Sequence, residues 1–185
     1  KLLLMDEATR SRGVVAASTG NHGRALAHAA RLEGLRVVIC MSRLVPENKI
    51  AEIRRLGADI RIVGKSQDDA QEEVERLVQS CGLTPIPPFD DVDVVAGQGT
   101  IGLEIVEKLP DLASVLIPLS GGGLAGGVAV AVKALKPQAR VIGISMQRGA
   151  AMYAAIAAGR PVAIREEETL ADSLGGGIGL KNRVT

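Results

Sequence analysis

Apolar and polar positions fall into a repeating order along the chain: a short apolar run, a turn, then a stretch with helical spacing. Residues 13–17 (Gly-Val-Val-Ala-Ala) are continuously apolar, which predicts a buried strand. Residues 21–32 are Ala-rich and predict a helix. A strand follows at 37–41, then a helix at 46–56 with Pro46 at its N-terminal position and Gly57 ending it. A strand at 60–63 and a charged amphipathic helix at 66–80, with Ser66 as its N-cap, complete a βαβαβα series. That order implies a parallel sheet covered by helices. The proline-rich stretch Thr84-Pro85-Ile86-Pro87-Pro88-Phe89-Asp90-Asp91 carries no helix signal and reads as a domain crossing. Beyond it the pattern predicts a helix at 101–108, a strand at 115–119, a helix over 128–135, a strand at 141–145 and a helix at 150–158. The chain is therefore α/β with two units.

Composition narrows what such a chain can be. Of its 185 residues, 46% are hydrophobic, enough for a core. Tyr153 and Phe89 are the whole aromatic complement, so that core is built from Ala, Val, Leu and Ile. The net charge is +1 and the arginines are scattered, which argues against a nucleic-acid partner. No apolar run approaches the ~18 residues needed to span a bilayer. Two cysteines, Cys40 in an apolar strand and Cys81 at a loop edge, do not make a disulfide framework and fit a reducing, cytoplasmic setting. Two histidines without a Cys/His cluster argue against a structural zinc site. The first residue is Lys1, so the chain is expected to begin inside a longer protein.

The candidate chemistry sits at two strand-to-helix junctions. Ser120-Gly121-Gly122-Gly123-Leu124-Ala125-Gly126-Gly127 follows the strand at 115–119 directly and leads into a helix. Glycines there let an anion approach bare backbone N–H groups at a helix N-terminus, where the helix dipole also favours negative charge. The run satisfies G-x-G-x-x-G, but so does Gly97-Gln98-Gly99-Thr100-Ile101-Gly102. A dinucleotide site also needs an acidic residue ~20 positions on, and the next strand ends Ile144-Ser145-Met146-Gln147-Arg148. Arg148 could meet a 2′-phosphate, which leaves a nicotinamide-dependent oxidoreductase as the alternative enzyme class. A simple phosphate cup ranks above it.

The second junction is Ser18-Thr19-Gly20-Asn21-His22-Gly23, at the C-terminal edge of the first strand, where open α/β sheets bind ligands. Ser18, Thr19 and the first N–H groups of the helix could hold a carboxylate, and Asn21 offers both a donor and an acceptor. Helix capping would account for one of the two hydroxyls. It would not account for Asn21-His22, a pair of poor interior helix formers. His28 reads as an ordinary helix residue.

Ser-Thr-Gly-Asn-His-Gly after a strand, then Ser-Gly-Gly-Gly-Leu about a hundred residues later, resembles the fold-type II pyridoxal-phosphate enzymes of the threonine/serine dehydratase (ammonia-lyase) and serine racemase group. Gly97-Gln98-Gly99-Thr100-Ile101-Gly102-Leu103-Glu104 is similar to that family's stretch between the two motifs. Three further segments, 40–46, 66–70 and 170–180, look like the hydroxyectoine-utilization dehydratases. The resemblance implies two open-sheet, three-layer α/β/α domains of the tryptophan-synthase-β-like kind, incomplete at both ends. A small domain at 13–89 would carry the substrate loop, and a partial large domain at 1–12 and 90–185 the cofactor loop. Ser120, Gly121, Gly122, Gly123 and Leu124 would bind the phosphate of pyridoxal 5'-phosphate, and Asn21 its ring hydroxyl. Ser18, Thr19, Gly20, Asn21 and His22 would grip the substrate carboxylate, and residues 175–177 would pass near the cofactor ring.

The implied reaction is loss of water from a β-hydroxy amino acid, giving a keto acid and ammonia, in a cytoplasmic dimer or tetramer. The family's Schiff-base lysine belongs in a Ser-Phe-Lys-x-Arg-Gly-Ala type motif ahead of the Ser18 loop. Only Lys1 of the seven lysines precedes that loop, in another setting, so no catalytic residue is assigned within this chain and the piece by itself is expected to be inactive. Thr19 stands where racemases carry serine, and no acidic ligands surround Arg148-Gly149-Ala150, so neither racemisation nor a divalent ion is expected. A non-catalytic amino-acid-binding module is the third class in play.

Overall fold

A computed structural model describes residues 1–185 except Thr19, Glu166, Glu168 and the side chain of Asp172. The chain divides into two compact units, Lys1–Pro88 and Phe89–Thr185.

In the first unit, α1 (Glu7–Arg12) leads into β1 (Val14–Ala17), α2 (Asn21–Leu32), β2 (Val37–Met41), α3 (Glu47–Arg55), β3 (Asp59–Ile62), α4 (Gln67–Cys81) and β4 (Thr84–Pro85). The four strands form one parallel sheet in the order β3-β2-β1-β4, with Val14 opposite Val37 and Ala17 opposite Cys40. Every residue of β1 and β2 is buried, as expected of central parallel strands covered on both faces. Val15, Ala17, Val38 and Cys40 pack against Ala70, Val74 and Leu77 of α4. Val14, Ala16, Ile39 and Met41 alternate to the opposite face. They are equally buried there, where α2 lies on β2 and α3 packs against α2.

Local chemistry sets these boundaries. Ser66 accepts from the Asp69 N–H at 3.0 Å while Asp69 accepts from the Ser66 N–H at 2.9 Å, a complete capping box at the start of α4. Asp6 caps α1 through the Thr9 N–H at 2.7 Å. Arg10 ties α1 to the end of α2 through Glu33, and Arg12 donates to the Gly82 carbonyl at 3.1 Å. Residues 1–12 thus pack within the first unit.

The second unit contains α5 (Val92–Lys108), β5 (Ser114–Pro118), α6 (Gly123–Leu135), β6 (Arg140–Ile144) and α7 (Ala151–Ala158). Strands β5 and β6 pair in parallel, Val115 opposite Val141 and Pro118 opposite Ile144. Ile117, Val128, Val132 and Ala139 form the core with Ile105, Val106, Val115 and Val141 around them. Leu116, Ile142 and Ile144 alternate to the other face of the same strands and are exposed.

Two helices begin earlier than the sequence pattern predicts. Helix α5 starts at Val92 rather than at residue 101, capped by Asp91, whose carboxylate accepts from the Val94 N–H at 3.1 Å. Gly97, Gly99 and Gly102 lie inside it, not in a turn. Helix α6 likewise begins at Gly123, not 128. In both cases glycine, a poor helix former, sits where helices touch. A Cβ on Gly102 would stand 2.8 Å from the Ala131 Cβ, and one on Gly127 would overlap the Val95 carbonyl oxygen. Backbone-to-backbone approach of α5 and α6 outweighs the propensity cost of ~1 kcal/mol per glycine.

Candidate functional site

The glycine turn between β5 and α6 is built for an anion. Gly122 is the N-cap of α6 with φ +89°, a left-handed conformation that side chains resist. No side chain caps the helix, and the first backbone bond of the helix runs from the Gly126 N–H to the Gly122 carbonyl at 2.7 Å. The N–H groups of Gly122, Gly123, Leu124 and Ala125 are left without an acceptor among the described residues. Uncapped donors at the positive end of a helix dipole suit a phosphate. Gly121 and Gly123 are buried and Ser120 and Leu124 are half-buried, so the turn is lined rather than fully open. A Cβ on Gly121 would collide with the Phe89 ring, and one on Gly122 would stand 2.8 Å from the Met152 Cε. The residues present therefore fit a phosphate group held through the backbone.

The loop after β1 is organised by its own side chains. Ser18 is buried, and its Oγ accepts from the Gly23 N–H at 2.9 Å and, at the longer distance of 3.4 Å, from the Gly20 N–H. Ser18 thus caps α2, which begins at Asn21 after the N-cap Gly20. A Cβ on Gly23 would lie 3.3 Å from the Ser18 carbonyl oxygen and 3.2 Å from the Ile53 Cδ1, so the helix start sits tight against the loop. The Asn21 and His22 N–H groups keep no acceptor among the described residues. The Asn21 side chain is exposed at the first turn of α2. The His22 ring turns inward instead, with Nε2 3.0 Å from the Ile86 carbonyl; a carbonyl can only accept, so Nε2 carries the proton. Burial pushes the His22 pKa down, and the Ile86 bond opposes that more weakly. The ring therefore braces the loop, and His22 faces outward with its backbone. Thr19 lies outside the described residues.

Other sequence candidates fall elsewhere. The second G-x-G-x-x-G match, Gly97 to Gly102, lies inside α5, where backbone groups are engaged in the helix. Arg148 pairs with Glu167 at 3.3 Å. Residues 175–177 follow the short 3₁₀ turn Asp172–Leu174, with Gly176 buried. Among the described residues no group of three or more His, Cys, Asp or Glu could hold a metal ion.

Four residues at one or other of these two junctions escape sequence reasoning. Gln67 donates from Nε2 to the Ala17 carbonyl at 3.2 Å, fixing the last peptide of β1. Phe89 fills the space beside Gly121. Thr185 donates from Oγ1 to the Gly121 carbonyl at 2.7 Å. Asp90 accepts through one oxygen from the N–H groups of Arg183, Val184 and Thr185. Asp90 and Thr185 are 95 residues apart in sequence, and no local pattern announces such a contact.

Comparison with known proteins identifies the family. The family described as pyridoxal-phosphate dependent enzyme matches residues 2–184. A Sinorhizobium fredii protein provisionally named threonine dehydratase is 65% identical over 184 residues, covering 100% of this chain and 55% of the relative. An L-threonine ammonia-lyase of Thermotoga maritima is 42% identical over 174 residues, 94% of this chain and 43% of that protein. Among solved structures, the processed form of threonine deaminase isoform 2 from Solanum lycopersicum matches with a TM-score of 0.87 and 36% identity, over 95% of this chain and 51% of that one. The chain spans about half the length of these relatives. With a glycine-lined, uncapped helix start following a parallel strand and a family match over nearly its whole length, the chain belongs to the pyridoxal-phosphate dependent enzymes.

Proposed function

We propose that this chain is part of a pyridoxal-phosphate dehydratase (ammonia-lyase) that takes a β-hydroxy amino acid of the threonine or serine type to a keto acid and ammonia. The observation that carries the reading is the glycine-lined N-terminus of α6, with four N–H groups that find no acceptor among the described residues. The names of the relatives supply the reaction class. The Gly122 to Ala125 N–H groups would hold the cofactor phosphate, with Ser120 at the mouth of the turn. Asn21 would hydrogen-bond the ring hydroxyl. The Ser18 hydroxyl and the Asn21 and His22 N–H groups would orient the substrate carboxylate, with Thr19 and Gly20 completing that loop. When bound, the cofactor supplies an electron sink for the charge left at Cα after proton abstraction.

The finer reading is a hydroxyectoine-derived substrate, suggested by the segments 40–46, 66–70 and 170–180. We place residues 13–89 in a small domain and 90–185 in a large one, within a longer, oligomeric protein whose Schiff-base lysine lies ahead of the Ser18 loop; residues 1–12, expected with the large domain, pack in the first unit instead, held by Arg10 on Glu33 and Arg12 on Gly82. The exposed apolar face of Leu116, Ile142 and Ile144 supports further chain packing on β5 and β6, since parallel sheets are ordinarily covered on both faces.

The test uses the full-length protein. Added pyridoxal phosphate is expected to give a near-visible absorbance band, and L-threonine or L-serine to release ammonia and keto acid in equal amounts. Absence of both sinks the proposal. Tight NADPH binding would favour an oxidoreductase, and stabilisation by amino acids without turnover a binding module.

A further inference from the structure

Asp90 lies at the end of the proline-rich crossing and is the one described non-glycine residue with positive φ, at +45°. Such a backbone is uncommon outside glycine and persists where the surroundings hold it. Here the surroundings are three consecutive N–H groups converging on Oδ1, from Arg183 at 2.8 Å, Val184 at 2.5 Å and Thr185 at 3.4 Å. Backbone donors arranged this way form a concavity that binds an anion, and the carboxylate fills it. The consequence lies at the other end of the segment. Thr185 Oγ1 donates to the Gly121 carbonyl at 2.7 Å, and Asn182 Nδ2 reaches the same hydroxyl at 2.8 Å.

A peptide unit is planar and trans, so its C=O and N–H point in opposite directions. Fixing the Gly121 carbonyl on Thr185 therefore fixes the Gly122 N–H, one of the four donors of the anion turn. Glycine on both sides of that peptide offers no steric barrier of its own to a flip.

We infer that Asp90 and Thr185 are positioning residues for the phosphate turn: Asp90 holds the segment 183–185, and the Thr185 hydroxyl orients the Gly121–Gly122 peptide so that its N–H faces the anion. This rests on the reading of the turn as a phosphate site. Neither residue need touch the ligand.

The experiment compares Thr185→Val, Thr185→Ser and Asp90→Asn in the full-length protein with two probes, pyridoxal phosphate and pyridoxal, by equilibrium dialysis. Loss of an aligned donor to a charged group is worth about tenfold in affinity. Thr185→Val is expected to weaken pyridoxal phosphate about tenfold and leave pyridoxal unchanged; Thr185→Ser restores the preference, and Asp90→Asn reduces it part-way. An unchanged ratio of the two affinities in Thr185→Val overturns the inference, as does an equal loss for both probes. A cofactor-free measurement separates this from failure of the parent reading. In amide NMR spectra, Thr185→Val is expected to broaden or double the Gly122 resonance, while Thr185→Ser keeps it single. A single unshifted Gly122 resonance in Thr185→Val refutes the positioning role. If the wild-type protein takes up no pyridoxal phosphate, the cofactor reading falls and this spectrum still decides.

Discussion

Gly127→Ala sets helix propensity against packing. Alanine is preferred over glycine in a helix interior by ~1 kcal/mol, so propensity alone predicts a gain. At Gly127 the added carbon would overlap the Val95 carbonyl oxygen, and it would stand 2.7 Å from the Gly99 nitrogen and 2.9 Å from the Gln98 Cβ. Ordinary carbon contacts are roughly 3.5–4.0 Å. Two of the three neighbours are helix backbone and cannot rotate away, so α5 must retreat by roughly 1 Å. A gap of that size forfeits roughly a quarter to a half of each contact it opens. Overpacking of this kind costs typically about 1–3 kcal/mol. Backbone neighbours place it at the upper end, and after the propensity gain the net loss is about 2 kcal/mol.

Gly97→Ala is the control. A Cβ there meets nothing within 4 Å, so only propensity acts and the variant gains up to about 1 kcal/mol. Because the chain has two compact units, a single melting curve can mix two transitions. Native-state hydrogen exchange of the α5 and α6 amides reads the second unit by itself. A Gly127→Ala variant as stable as the wild type, or the same sign of change in both variants, would refute the packing argument.

Three further outcomes follow from the first unit. Ser66→Ala removes the capping-box acceptor from the Asp69 N–H and should destabilise α4 by about 1 kcal/mol, measured as faster exchange in its first turn. His22 has its pKa pushed below the ordinary 6.5, so the unfolded chain binds the proton first on acidification. Its stabilising contribution is complete above about pH 6.5 and declines as pH falls through the depressed folded value; His22→Asn should flatten that part of the stability profile. Burial, reinforced by Glu73, raises the Cys40 thiol to about 11, while Cys81 is exposed. A thiol-reactive disulfide reagent at pH 8 should modify Cys81 within the native protein and Cys40 only after unfolding; equal rates for the two would count against the buried assignment.

The elements most legible in sequence were those whose signal is local. Helix α2 over Asn21–Leu32 and strand β2 over Val37–Met41 fall where the pattern puts them, because continuous apolar runs and Ala-rich helical spacing are determined within a dozen residues. The Ser66 cap was legible for the same reason. Helix α5 was not: the pattern put its start at residue 101, and only the contact with α6 explains why glycine is tolerated at Gly99 and Gly102. At the two junctions, the residue types at 18–23 and 120–124 pointed to anions from sequence alone. Which atoms of those residues face outward did not follow from type. The His22 ring is spent on Ile86, the Ser18 oxygen on Gly23, and the Gly121 carbonyl on Thr185. The sequence by itself determined most of the order of strands and helices, though not α1 or β4, and the glycines of the turn, because these depend on neighbours in the chain. Tertiary structure decided where the hydrogen bonds of those residues go, because their partners lie 5 to 64 residues away and only folding brings them into reach.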